Sequence, residues 1–254
     1  MKIECVDWTG GQIKNTDDAD DIKNVDLTRV HYLTGPFEIE GAEPGDVLLL
    51  EIQDVQPMED HLWGFTGIFD KENGGGFLDE MYPKAAKAIW DFEGIFCSSR
   101  QCVLIQLMFT VVRLLISQFS IPGVRFAGLI HPGILGCAPS PQILAEWNRR
   151  EGELIESCSH MSRAVALPPN PQSVHVGSGD ESIKEKVGRE GARTIPGRPE
   201  HGGNCDIKNL SRGSKVYLPV HVPGAKFSVG DLHFSRKFPD TRPQSPFTHL
   251  ANFE

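Results

Sequence analysis

Short β-type runs cut by glycine- and proline-containing turns recur along this chain, a punctuation that only a strand-built architecture absorbs easily. Residues 3–8, IECVDW, alternate in polarity and stop at Gly10-Gly11, the signature of a strand entering a turn. Gly35-Pro36 leads into the alternating residues 37–40, residues 41–46 make a turn, and residues 47–55 read as a strongly apolar strand. Further on, residues 215–222 and 225–229 read as strands joined by Pro223-Gly224. Helical signal is sparse. It falls on residues 83–90, on 141–156 with Ile143, Leu144, Trp147, Leu154 and Ile155 at helical spacing, and on 182–190 inside the loop-rich stretch 167–198. Residues 17–26 are expected as a solvated acidic loop, without the central glycine and closing glutamate of a calcium loop. Gly74-Gly75-Gly76 lacks the pattern and following helix of a phosphate cradle. No internal repeat is present, and the expected class is mainly β, between all-β and α+β.

A chain of 254 residues can bury one large core or two smaller ones. Its net charge of -9 argues against a nucleic-acid backbone or an anionic membrane as partner. The cysteines at 5, 97, 102, 137, 158 and 205 form no CxxC pair, and the first residues carry no apolar signal core. They read as reduced thiols of a cytoplasmic protein. Residues 101–120, QCVLIQLMFTVVRLLISQFS, are almost wholly apolar and long enough to span a bilayer. Arg113 near the middle would cost roughly 2.5–3.5 kcal/mol there, so the segment reads as buried rather than membrane-borne.

Chemistry concentrates between Glu200 and His233, where carboxylates and imidazoles stand among glycine pairs and short strands. Asn204 and Asp206 follow Gly202-Gly203, which let the backbone approach another element closely; two apart on a strand, they would point into one cleft. An Asx-type turn is the plainer alternative. Glu200 and His201 lie just upstream, at the cleft or its rim. His131 precedes Pro132-Gly133 and reads as a residue on a rigid turn at a strand end, either a backbone-bonded histidine or a metal ligand. His131, Asp206 and His233 make a mixed O/N metal set of three with room for water, the pattern of a catalytic zinc site. His221 sits opposite Val220 and Val222 on its strand and reads as structural. Cys137, shortly before the helix at 141, is the cysteine best placed to be a nucleophile, against the alternative of an inert buried thiol.

With these residues laid out, the chain resembles the acetamidase/formamidase family, closest to fungal and plant-type formamidases. The resemblance is carried by VDWTGGQIKN (6–15), VHYLTGPFEIEGAEPGD (30–46), WGFTGIFDKENGGGFLD (63–79), YPKAAKAIWDFEGI (82–95), IPGVRFAGLIHPGILGCAPS (121–140) and the run from RTIPGRPEHGGNCD to GDLHFS (193–235). It implies hydrolysis of formamide to formate and ammonia, a fold of jelly-roll-like or sandwich β layers, a homo-oligomer and a divalent metal, taken as zinc. The family's polar motifs fall on Glu200, Asn204 and Asp206, on Asp231 and His233, and on His131. The corresponding catalytic residues are Glu200, Asn204, Asp206 and His233, with the ion or Asn204 polarising the substrate oxygen and Glu200 carrying the proton to the leaving amine.

The chain also departs from the family it resembles. Relatives begin upstream of Met1, continue differently after Ser235, and join Arg100 to Ile121 through a single histidine. Residues 1–254 are therefore expected to be one partial domain, with 101–120 a hydrophobic insertion and 236–254 an unrelated tail. Both segments can be written with donor-like codons, GTGCGT at Gln101-Cys102-Val103 and GTAAGT at Arg236-Lys237-Phe238, as translated introns would be. The alternative function is thus a truncated, inactive formamidase-like subunit or interaction protein. On that expectation the chain alone is aggregation-prone, from unpaired sheet edges.

Overall fold

The computed structural model describes residues 1–76, 78–100, 125–157, 179–190 and 202–236. Residues 101–120, the tail from residue 237, and Glu200 and His201 lie outside the described residues. In chain order the elements are α1 (Asp20–Lys23), β1 (Leu33–Phe37), β2 (Val47–Glu51), β3 (Trp63–Ile68), β4 (Ala86–Glu93), β5 (Phe96–Ser99) and β6 (Phe126–Gly136). There follow α2 (Pro141–Ser157), α3 (Glu181–Glu190), β7 (Gly202–Asn204), β8 (Lys215–Pro219) and β9 (Phe227–Arg236). Strands dominate, as the turn-punctuated sequence demands. Among the described residues no helix is long and apolar enough to cross a membrane.

The chain divides into two compact units. The first comprises Met1–Gly11, Asp26–Asp54 and Pro132–Leu232. Here β2 and β8 pair antiparallel from Val47↔Pro219 to Glu51↔Lys215. Alternation along β2 turns Leu48 and Leu50 toward a core of Leu135, Cys137, Leu218, Val220, Ala225 and Phe227, and leaves Val47 and Leu49 outside. Each large apolar side chain so buried contributes about 1.5–3 kcal/mol. β1 pairs β9 as Leu33↔Gly230 and Thr34↔Val229, then shifts register before Phe37↔Phe227. The helix α2 starts where the sequence puts it: Ser140 Oγ accepts the Ile143 N–H at 3.2 Å, Pro141 takes the first helical position, and Trp147 is buried with Ile143 and Leu144. In α3, Asp180 Oδ1 accepts the Ile183 N–H at 3.0 Å.

The second unit comprises Gln12–Val25, Val55–His131 and His233–Glu254. Its strands β3, β4, β5 and β6 pair antiparallel in sequence order, and β9 lies beside β6. Phe92 stacks on Phe234 with centroids 5.1 Å apart, and Trp90 Nε1 donates to Thr66 Oγ1 at 3.0 Å. Cys97 and Phe234 are buried with Trp90, Phe92, Phe126 and Ile130 around them. A second contact pins α1 to β4: Lys87, with no exposed side-chain area, donates to Asp21 Oδ2 at 2.6 Å and to the Lys14 carbonyl at 3.1 Å.

Several local expectations change: residues 38–40 are not strand, because β1 ends at Phe37 and holds Gly35-Pro36 inside it, and the strands expected at 215–222 and 225–229 run Lys215–Pro219 and Phe227–Arg236. Residues 83–90 do not form a helix; from Ala86 on they are β4, because Lys87 and Ile89 alternate inward and that burial overrides the alanines' helix preference. Residues 3–8 join no ladder. Instead Asp7 closes the turn itself, its carboxylate accepting the Thr9 and Gly11 N–H groups at 2.7 and 2.8 Å. The acidic stretch 17–26 holds the single-turn α1, whose Ile22 is fully buried. The strand at 47 ends at Glu51 rather than Val55.

Candidate functional site

β9 carries the site, and its local backbone is unusual. Asp231 has φ 54°, a left-handed conformation that costs an L-residue roughly 1–2 kcal/mol and that Asp tolerates better than most. Asp231 and His233 are both buried, at 3% and 2% exposure. Buried polar groups of this kind require partners.

Asp206 reaches them through the glycine pair. β7 pairs β6 as Ile134↔Asn204, Leu135↔Gly203 and Gly136↔Gly202. A Cβ on Gly202 would lie 2.6 Å from the Leu135 carbonyl oxygen, and its φ of 97° also demands glycine. The close approach expected of Gly202-Gly203 is therefore present. The Cys205 N–H then donates to the Gly133 carbonyl at 2.5 Å, fixing the residue before Asp206.

The outcome is a compact donor group. One ligand atom each from Asp206, Asp231 and His233 lies within 4.8 Å of the other two, with Asp206 exposed and the others buried. Two carboxylates this close repel unless a cation or a proton stands between them. Two carboxylate oxygens and one imidazole nitrogen form a hard-to-borderline donor set that suits a divalent cation. The residues present fit the ion.

His131 lies outside that group. It does not sit on a turn at a strand end but within β6, fully buried. Pro132 lies inside β6, between the part paired with β5 at residues 126–127 and the part paired with β7 at 134–136. The His131 Nε2 is hydrogen-bonded to Ser235 Oγ at 2.8 Å, and its ring stacks on His233 with centroids 5.4 Å apart and planes 17° apart.

Asn204 is exposed and in the ladder, whereas Asp206 lies beyond the end of β7, so they are not a same-face strand pair. Glu200 is among the residues outside the description. His221 follows β8 and belongs to no metal-capable group among the described residues. Cys137 is packed in the first unit's core, where burial pushes its thiol up to about 11; it is a neutral thiol near pH 7, which counts against a nucleophile. Asp231 is the donor that the spacing argument passes over. Its signal is the Asp-x-His of residues 231–233, two donors on one strand.

A family profile described as the Acetamidase/Formamidase family matches residues 1–237. A Schizosaccharomyces pombe protein provisionally named a formamidase is 67% identical over 237 residues, covering 93% of this chain and 53% of that protein. The formamidase of Methylophilus methylotrophus is 49% identical over 236 residues, with 93% and 53% covered. Among solved structures, the gamma lactamase from Delftia acidovorans superposes with a TM-score of 0.77 at 52% identity, over 91% of this chain and 52% of its own. The chain spans about half the length of the curated relatives it matches.

Proposed function

Since the chain belongs to the acetamidase/formamidase family, we propose that it hydrolyses formamide to formate and ammonia with a divalent cation, zinc, held by Asp206, Asp231 and His233. The observation that carries the chemistry is the gathering of two carboxylates and an imidazole within 4.8 Å on a chain with that kinship. When bound, such an ion supplies a Lewis acid and readies water for attack near neutral pH. The chain's own groups do the rest. Asp231 and His233, being buried, keep bulk water from the inner side of the site, while Asp206 stands at its open side. Asn204 is assigned the substrate oxygen, to which its carboxamide N–H donates as negative charge builds there. Glu200 is assigned the proton that leaves with ammonia.

The names formamidase and gamma lactamase among the relatives both denote cleavage of an amide C–N bond, which supports the reaction class. The cysteine spacing supports a reducing, cytoplasmic setting, the family resemblance supports assembly of like chains, and the acidic balance supports neither nucleic acid nor membrane as partner.

The test is ammonia release from formamide by the purified chain, before and after chelation and with zinc restored. The expected result is turnover that chelation removes and zinc returns. Zinc-loaded protein without ammonia release would sink the substrate; turnover indifferent to chelation would sink the metal.

A further inference from the structure

We infer that His131 is a positioning residue for His233: its buried ring, stacked on the His233 imidazole and tied to Ser235, holds that ring in the plane its cation requires. The inference rests on the proposed metal reading of Asp206, Asp231 and His233. An imidazole ligand binds through an in-plane lone pair, so rotation about its side-chain torsions turns the donor away from the ion. A parallel ring at a centroid distance of 5.4 Å leaves that rotation little space. His131 is itself immobilised, fully buried and hydrogen-bonded through Nε2 to Ser235 Oγ at 2.8 Å. The strands are equally constrained. A Cβ on Gly128 of β6 would lie 2.3 Å from the Phe234 ring and 2.7 Å from the Ser235 carbonyl oxygen, so β6 and β9 meet at backbone distance. Phe234, between His233 and Ser235, is stacked in turn on Phe92. Groups that orient a ligand from outside the coordination sphere characteristically set metal affinity rather than stoichiometry.

The test measures zinc affinity of the full chain by competition with a chromogenic chelator, with the visible absorption of cobalt-loaded protein as a readout of ligand geometry. The variants are His131→Ala, His131→Phe, Ser235→Ala and His233→Ala, each checked for folding by circular dichroism. His131→Ala is expected to weaken zinc about 10–100-fold and to shift the cobalt bands, while His131→Phe, which keeps a flat stacked ring, stays within about threefold of wild type. Ser235→Ala should fall between them. If His131→Phe loses as much affinity as His233→Ala, His131 is a ligand and the inference is overturned. Wild-type affinity and cobalt bands in His131→Ala overturn it too, yet leave the metal reading standing. A wild-type chain that binds no zinc takes both down. Should His131→Ala not fold, His131→Phe still decides: a loss well beyond threefold in it, matched by Ser235→Ala, assigns the affinity to the bond with Ser235 rather than to the stacked ring and overturns the stacking role.

Discussion

At the scale of single residues, Asp231 must satisfy two demands at once, a left-handed backbone and a buried charge beside another carboxylate. Asparagine tolerates the backbone but lacks the charge; alanine meets neither demand. Asp231→Asn should therefore melt close to wild type while binding zinc at least about tenfold more weakly, and Asp231→Ala should lose a further ~1 kcal/mol of stability. Urea unfolding of the metal-free variants beside a zinc titration separates the two effects; equal unfolding midpoints for Asn and Ala would discount the backbone demand. Cys137 supplies a second prediction. Its folded thiol keeps its proton up to about 11 against an ordinary value of 9.0. The unfolded chain thus ionises first, and the stabilisation is full below pH 9 and drains away as pH rises toward 11. The loss should be roughly 1–2 kcal/mol. Unfolding free energies at pH 8.5 and 10.5 should drop less in Cys137→Ala than in wild type, and identical drops would refute the assignment.

At the scale of elements, glycine placement predicts which substitutions the β framework refuses. Gly202→Ala puts a Cβ 2.6 Å from a carbonyl oxygen at positive φ, whereas a Cβ on Gly76 meets nothing within 4 Å. Gly202→Ala should cost roughly 2–4 kcal/mol and weaken zinc binding through Asp206, with Gly76→Ala near neutral. Comparable midpoints for the two variants in thermal unfolding would contradict this. The tie between α1 and β4 behaves differently. Lys87→Ala removes the cation from Asp21, whose carboxylate keeps the Lys14 and Ile22 N–H groups, and should cost about 1–3 kcal/mol, while the double change Lys87→Met with Asp21→Leu should return to within ~1 kcal/mol of wild type. Unfolding of the single and double variants checks it, and an unrescued double variant would show that the ion pair is needed for more than packing. These elements also mark what the sequence makes legible. Turns at Gly10-Gly11, residues 41–46 and Pro223-Gly224, and the helices from Pro141 and Glu181, declare themselves through local chemistry. β4 does not, because its alanines speak for a helix and only the inward burial of Lys87 and Ile89 decides. The place of Pro132 inside β6 is equally hidden, since Pro132-Gly133 reads locally as a turn. In the site, Gly202-Gly203, Asp206 and His233 can be read from spacing. The left-handed Asp231 has no local turn signature, and the stacking of His131 on His233 joins residues about a hundred apart in sequence.

At the scale of the whole molecule, a chain about half as long as its curated relatives still carries two compact units and a gathered donor group. The formamide assay on this chain alone therefore asks whether that portion suffices for turnover. Within β9, ten consecutive residues supply a core phenylalanine at each end region, the kinked aspartate and the imidazole donor. On the proposed metal reading, heating that loosens this strand also frees the ion. Zinc bound as proposed should escape to a colorimetric chelator over the same few degrees in which the β signal collapses, and excess zinc should drag both events upward together, because one strand carries both the core phenylalanines and two of the proposed ligands.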